Sequence, residues 1–170
     1  MEKKIHSTNP KFIADEMNGD LARWLRIMGY DCLYLTGEGN MDVRIIDEAK
    51  RRKRIVLTSD RDLFRKCLGE GVEAVYTSGG SREDRLANLI ERLRLDASLG
   101  RRPLRCSLCN ARLKKVGREE VSSKLPRELI ERHGEFWTCP RCGKIYWEGS
   151  HWEEITKTIE RARLKAEERP

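Results

Sequence analysis

The sequence has no long apolar run. None of its stretches approaches the ~18 consecutive apolar residues of a membrane-spanning helix. The opening Met1-Glu2-Lys3-Lys4-Ile5-His6 is not followed by the apolar core of a secretory signal. Glutamine is absent, asparagine is scarce, and aromatic residues make up only 6% of the chain. A disulfide framework is also missing: four of the six cysteines fall in two C-x-x-C pairs, while Cys32 and Cys67 stand alone. That pattern fits a reducing compartment. Together these absences lead us to expect a cytoplasmic protein with no membrane anchor.

Charge is what the chain has in excess. Asp, Glu, Lys and Arg reach 37% of the residues, against an average near ~25%. Such enrichment with few labile residues is common in heat-adapted proteins. The 35 basic and 28 acidic residues leave a net charge of +7. An excess of that size favours a polyanionic partner, with a solvated basic surface as the alternative. A length of 170 residues allows one ordinary domain, or a compact domain plus a small module.

Periodicity supports the second arrangement. Phe12-Ile13-Ala14-Asp15 reads as a short buried strand ending in an acid. Leu21, Trp24, Leu25 and Met28 then recur at the spacing of one buried helix face, which puts Arg23 and Arg26 on the opposite face and Gly29 at the stop. Residues 31–35 read as a second strand, followed by a turn-rich loop at 36–40. Asp42 is expected at the cap or first turn of a helix whose apolar side is Ile45, Ile46 and Ala49. Ile55-Val56-Leu57-Thr58 is nearly all apolar and reads as a central strand. A polar loop, Ser59-Asp60-Arg61-Asp62, opens a short helix, residues 72–76 form a fourth strand, and Leu86, Leu89, Ile90 and Leu93 mark a longer helix. Alternating strands and helices predict an α/β domain over residues 1–100, with a mostly parallel sheet. Gly100-Arg101-Arg102-Pro103 reads as a linker, residues 104–150 as a cysteine module, and residues 151–170 as a last helix with a charged tail.

Cys106-x-x-Cys109 and Cys139-x-x-Cys142 are separated by 29 residues. Each pair bends the backbone so that both thiolates reach one ion. Two pairs complete a tetrahedral site that suits structural zinc and leaves no open position for catalysis. Iron in a similar site, or thiols without metal, are the alternatives. The segment is too small to hold a sufficient core by itself. Lys114, Lys115, Arg141 and Lys144 lie close in sequence and would soften the negative charge of a thiolate cluster. With Arg118, Trp137 and Trp147 they also suit a nucleic-acid-binding surface; structural support alone is the other reading.

Asp15 and the pair Asp60 and Asp62 fall at the carboxyl ends of predicted parallel strands, where an open sheet forms its binding crevice. Asp42 can reach the same crevice. Converging carboxylates repel one another unless a cation joins them, and oxygen ligands suit magnesium or manganese. Such a metal activates water against a phosphodiester. Arg23 and Arg26 are then candidates for substrate phosphates, and Asn18 for orienting water or a phosphate oxygen. For Asp42, Asp60 and Asp62, helix capping is the plainer alternative; for the arginines, it is a solvated surface.

Three stretches carry a family resemblance. They are Phe12-Ile-Ala-Asp15-Glu-Met-Asn-Gly19-Asp-Leu-Ala-Arg23-Trp-Leu-Arg26, Ile55-Val-Leu-Thr58-Ser-Asp60-Arg-Asp62, and Cys106-x-x-Cys109-Asn110 with Cys139-Pro-x-Cys142-Gly-Lys-Ile-Tyr-Trp147-x-Gly-Ser-His151-Trp. Together they resemble the Mut-seven C-terminal RNase domain family. The resemblance implies a PIN-like parallel sheet flanked by helices, followed by a small four-cysteine zinc ribbon and a C-terminal helix. It also implies a ribonuclease dependent on magnesium or manganese, with Asp15 and Asp60 as metal ligands and Asp42 and Asp62 as supporting acids. Met41 and Arg44 stand where the family often places further acids. His151 is expected either to face RNA, as phosphate donor or general acid, or to help cap and pack the last helix.

A metal-dependent ribonuclease acting on single-stranded or exposed RNA is therefore the leading expectation. A non-catalytic RNA-binding or ribosome-associated module, its acids a relic, is the second. A toxin-like nuclease is a third, which the added cysteine module disfavours.

Overall fold

Phe12, Ile13 and Ala14 are fully buried and form β1 (Phe12–Ala14), around which the sheet is built. In the computed structural model, which describes residues 9–77, 79–100 and 104–168, β1 pairs in parallel with β2 (Cys32–Tyr34) and β3 (Ile55–Thr58). On its far side β3 pairs in parallel with β4 (Ala74–Tyr76). The order is β2-β1-β3-β4. Every residue of β3 is buried, as expected of an apolar strand covered on both faces.

A 3-10 turn, Glu16–Asn18, leads from β1 into α1 (Gly19–Ile27). The close start of α1 explains Gly19: a Cβ there would lie 2.9 Å from Cζ of Tyr34. Leu21, Trp24, Leu25 and Met28 are buried as the periodicity predicts. Leu21 and Leu25, with no exposed surface, each contribute about 1.5–3 kcal/mol of burial. α2 (Met41–Arg52) is capped by Asn40 and carries Asp42 in its first turn. α3 (Arg61–Gly69) runs a full turn past the expected short helix and is capped by Asp60. α4 (Arg82–Leu93) opens with a capping box between Ser81 and Asp84.

The cysteine segment contains a three-stranded antiparallel sheet, β5 (Lys114–Val116), β6 (Phe136–Thr138) and β7 (Ile145–Trp147), in that order. Two short helices, α5 (Arg118–Val121) and α6 (Arg127–Arg132), fill the connection from β5 to β6. Its own core is small, with Val116, Val121 and Phe136 at the centre.

The last helix, α7 (Ser150–Glu167), returns to the α/β domain. Ile159, Ala162 and Ala166 join the cluster formed by α1, α4 and one face of the sheet. Lys165 pairs with Asp84 at 2.8 Å and Arg161 with Glu83 at 3.2 Å. Helix α7 thus completes the first domain's core. None of the described helices is long and apolar enough to cross a membrane. Residues 1–8, with His6, residues 101–103 of the expected linker and residues 169–170 of the tail lie outside the described residues.

Candidate metal centres and nucleic-acid interface

The four module cysteines converge. Their sulfurs lie within 4.8 Å of one another; Cys106 and Cys142 are 3.6 Å apart, and Cys109 and Cys139 are 3.3 Å apart. A zinc ion with bonds of about 2.3 Å in a tetrahedron requires sulfurs about 3.8 Å apart, so this donor set fits one ion. The two pairs share one backbone design. In each, the N–H of the second cysteine points at the first sulfur at 3.4 Å. The next residue adopts a left-handed conformation, Asn110 at φ 69° and Gly143 at φ 74°. Glycine and asparagine are the residues that tolerate this turn.

Tyr146 of β7 supports the cluster, a role the sequence did not announce. Its hydroxyl accepts from Ser107 N–H at 3.1 Å and lies 3.1 Å from Cys106 Sγ. Burial disfavours the Cys106 thiolate, but Tyr146 and the N–H groups of Cys109 and Leu108 point at it, and its pKa falls to about 6. Cys32 has no such partners: burial pushes its thiol up to about 12, which makes it inert.

The module docks at the amino edge of the parallel sheet, and here one expectation is overturned. Arg26 does not face solvent. It is 5% exposed, its Nε donates to Cys32 O at 2.8 Å, and its Nη1 donates to Ser107 O at 3.1 Å and Leu108 O at 2.9 Å. The helical spacing that set it opposite the core is right for α1 alone. The module covers that face as well. Asn110 adds a second tie: its carboxamide accepts from Cys32 N–H at 3.1 Å and donates to Asp31 at 2.8 Å. Asp31 also binds Arg54 at 2.7 Å, with Arg105 at 3.8 Å. Burial works against the Asp31 carboxylate, but these partners outweigh it and hold its pKa below the usual value.

Asp15 and Asp60 lie at the opposite, carboxyl edge. Asp15 is 6% exposed. Its Oδ1 accepts from Met17 N–H at 3.0 Å and Asn18 Nδ2 at 2.7 Å, and its Oδ2 accepts from the Thr58 hydroxyl at 2.5 Å. Thr58 Oγ1 in turn accepts from the backbone N–H of Asp60 at 2.9 Å, so one side chain ties the Asp15 carboxylate to the backbone that carries Asp60. Asn18 is fully buried and takes a further bond, at 2.6 Å, from Thr77, whose hydroxyl lies 3.0 Å from Ser59. Thr58 and Thr77 are not legible as site residues; the only signal is a hydroxyl ending an apolar strand.

Asp60 Oδ1 accepts from Asp62 N–H at 2.7 Å and Leu63 N–H at 3.4 Å. Asp62 is exposed, 3.6 Å from Arg65. Asp42 is held by Lys66 at 2.6 Å. Among the described residues, the cysteines are the only three or more potential ligands gathered within metal-binding reach, and the four aspartates do not form one such cluster. Two lone pairs on each carboxylate oxygen leave capacity at Oδ2 of both Asp15 and Asp60, the oxygen type that magnesium and manganese prefer.

The remaining candidates are scattered. Lys114 and Lys115 are exposed on β5, where Lys115 pairs with Glu135. Arg141 reaches Cys109 O at 3.3 Å. Lys144 lies over the Tyr146 ring at 5.5 Å. Exposed Arg23 and His151 line a cleft of about 1180 Å³ between α1, α7 and the cysteine module, which neither Asp15 nor Asp60 lines.

No curated protein and no solved structure matches this chain. A family model does: the Mut7-C RNAse domain matches residues 10–159. With its parallel sheet flanked by helices, its four-cysteine cluster and that match over most of its length, the chain belongs to the Mut7-C RNase domain family.

Proposed function

We propose that the protein is a metal-dependent ribonuclease that hydrolyses phosphodiester bonds at the carboxyl edge of its parallel sheet, with magnesium or manganese at Asp15 and Asp60 and zinc at the four cysteines. The observation that carries this reading is the buried Asp15 carboxylate held by the Thr58 hydroxyl, which also accepts from the backbone N–H of Asp60, in a chain of an RNase domain family. A bound catalytic metal supplies activated water and neutralises developing charge. The chain's own part is positional. Asn18, Thr58 and the Met17 N–H fix the Asp15 carboxylate, and the α3 amides fix that of Asp60. Asp62 and Asp42 act from the rim, Asp42 through its pair with Lys66. Zinc closes a ribbon-like module whose Lys114, Lys115, Arg141 and Lys144 attract RNA. His151, away from both acids, serves as an RNA contact. Paired cysteines suit a reducing cytoplasm.

The second reading, an RNA-binding module without catalysis, is favoured by the absence of a three-carboxylate cluster among the described residues, with Met41 and Arg44 on α2. Cleavage of a labelled single-stranded RNA by zinc-loaded protein, with and without manganese or magnesium, separates the two. Cleavage that requires the added metal and is lost in Asp15→Asn supports the nuclease. RNA binding without cleavage under all conditions supports the binding module.

A further inference from the structure

The chain has four tryptophans, and all four line the one cleft between α1, α7 and the cysteine module. They come from three separate parts of the fold: Trp24 from α1, Trp137 and Trp147 from β6 and β7, and Trp152 from α7. Trp24 is buried in the core and Trp147 packs on the small core of the module, yet Trp137, Trp147 and Trp152 each keep part of their surface accessible. His133 and His151 line the same space. At about 1180 Å³ it exceeds the ~300–1,000 Å³ of ordinary small-molecule pockets.

Its charge is biased. Six of the lining side chains are cationic and four anionic. Arg161 meets two of those acids, Glu83 and Glu154, at 3.2 and 3.1 Å, and Arg105 is taken by Asp31 at 3.8 Å. Arg23 and Arg132 are exposed, with no carboxylate partner within 4.0 Å among the described residues. Arg82 lies over the Trp24 ring at 6.0 Å and pairs with Asp20 at 3.8 Å, so Arg23 and Arg132 are the arginines left open. Flat rings interleaved with unpaired cations match the needs of unpaired bases on a phosphate backbone: rings stack on bases, and cations track phosphates. Apolar side chains such as Ile27, Leu129 and Ile155 also line the cleft, but the exposed, unpaired Arg23 and Arg132 favour a polyanion over an apolar protein segment, and duplex RNA would hide its bases from the rings.

We infer that this cleft, on the α1 and α7 side and apart from the acidic edge, is the docking track for single-stranded RNA. The choice of RNA rests on the ribonuclease reading; the location does not. Exposed Lys114 and Lys115, on β5, do not line this cleft and are peripheral to the track.

The test exploits the absence of tryptophan elsewhere. The zinc-loaded Asp15→Asn chain, which spares the RNA, is titrated with a labelled single strand of about 12 nucleotides, and intrinsic fluorescence is followed beside anisotropy. The expected result is tryptophan quenching that saturates together with the anisotropy. Arg23→Glu with Arg132→Glu should weaken binding about tenfold or more at unchanged zinc content and melting temperature. Trp152→Ala should weaken it at least about fivefold. Lys53→Glu, exposed at the end of α2, should leave it within about twofold, and duplex of equal length should bind about tenfold more weakly. RNA that binds without quenching, or that ignores the charge reversals, overturns the cleft while the nuclease reading stands. Absence of RNA binding also overturns it, and cleavage by the unsubstituted chain then decides whether the nuclease reading falls too.

Discussion

Arg26 Nη1 donates to the carbonyl oxygen of Leu108 at 2.9 Å, across the boundary between the α/β domain and the cysteine module. The bond is one of three that a single buried guanidinium makes to carbonyls on both sides. It turns two sequence segments 82 residues apart into one mechanical unit.

Replacing Arg26 should therefore affect stability and not RNA affinity. Arg26→Ala should cost about 2–4 kcal/mol, because hydrogen bonds to charged groups contribute about 1.5–3 kcal/mol each and the partner carbonyls lose them. Arg26→Lys should rescue little, since an ammonium cannot present the planar fork that reaches Cys32, Ser107 and Leu108 together. Chemical denaturation, run beside RNA anisotropy, checks both halves. A large loss of RNA affinity at intact stability would return Arg26 to the RNA-binding face.

Asp31 gives the latch a pH dependence. Its folded-state pKa lies below the ordinary value of 3.8. Its pairing with Arg54, Arg105 and Asn110 therefore contributes stability that is fully present above that value. The contribution is lost as the pH falls through the lower folded pKa. The unsubstituted protein should exceed Asp31→Asn in stability at neutral pH, by a gap that closes steadily below about pH 4. Denaturation midpoints measured across the acid range show this directly. A gap that stays constant into strong acid would mean that the pairing is energetically silent.

Metal removal should be felt beyond the cysteines. One zinc per chain is expected by metal analysis. Stripping it should unfold the knuckles, because such modules draw much of their folding energy from the ion. The Cys32 amide, protected by Asn110 in the first knuckle, should then exchange its hydrogen faster in β2 of the other domain. Exchange at Cys32 that does not respond to chelation would show that the edge is held without the module.

At the opposite edge, the side chain between the acids is the sensitive one. Thr58→Val keeps the shape of the strand but removes the hydroxyl that donates to the Asp15 carboxylate and accepts from the Asp60 backbone N–H. It should lower cleavage at least about tenfold and destabilise by about 1–3 kcal/mol, the cost of leaving buried polar groups unmet. Asp42→Asn, which breaks only a surface pair with Lys66, should change cleavage less than about threefold. Rates of RNA hydrolysis for the two variants decide the ranking. If Asp42→Asn proves the more damaging, the metal sits nearer α2 than Asp15 and Asp60 imply.

The sheet is largely legible in the sequence because its strands are so apolar: Phe12-Ile13-Ala14 and Ile55-Val56-Leu57 have few other places to go. The α1 face is legible for the same reason, and the cysteines through their spacing. Arg26 misleads because helical periodicity tells core from non-core for one helix against one neighbour, whereas Arg26 lies under a second neighbour 81 residues away. The same limit hides Asn110, whose side chain acts through a left-handed turn that spacing does not encode. Helix α7 is visible as a helix with an apolar side, but periodicity does not say which neighbour that side meets, and its return onto the first domain through Ile159, Ala162 and Ala166 is therefore not encoded in its spacing. Thr58 and Thr77 give none, since a threonine at a strand end is ordinary until its partners are known.

The two cysteine knuckles share a backbone and yet are not interchangeable. Asn110 supplies the left-handed turn and a reaching carboxamide; Gly143, at the equivalent place, supplies the turn alone and faces solvent. The module is therefore keyed like a plug with one shaped pin. It seats on the sheet in a single orientation, and exchanging asparagine and glycine between the two turns would keep its metal while erasing its polarity.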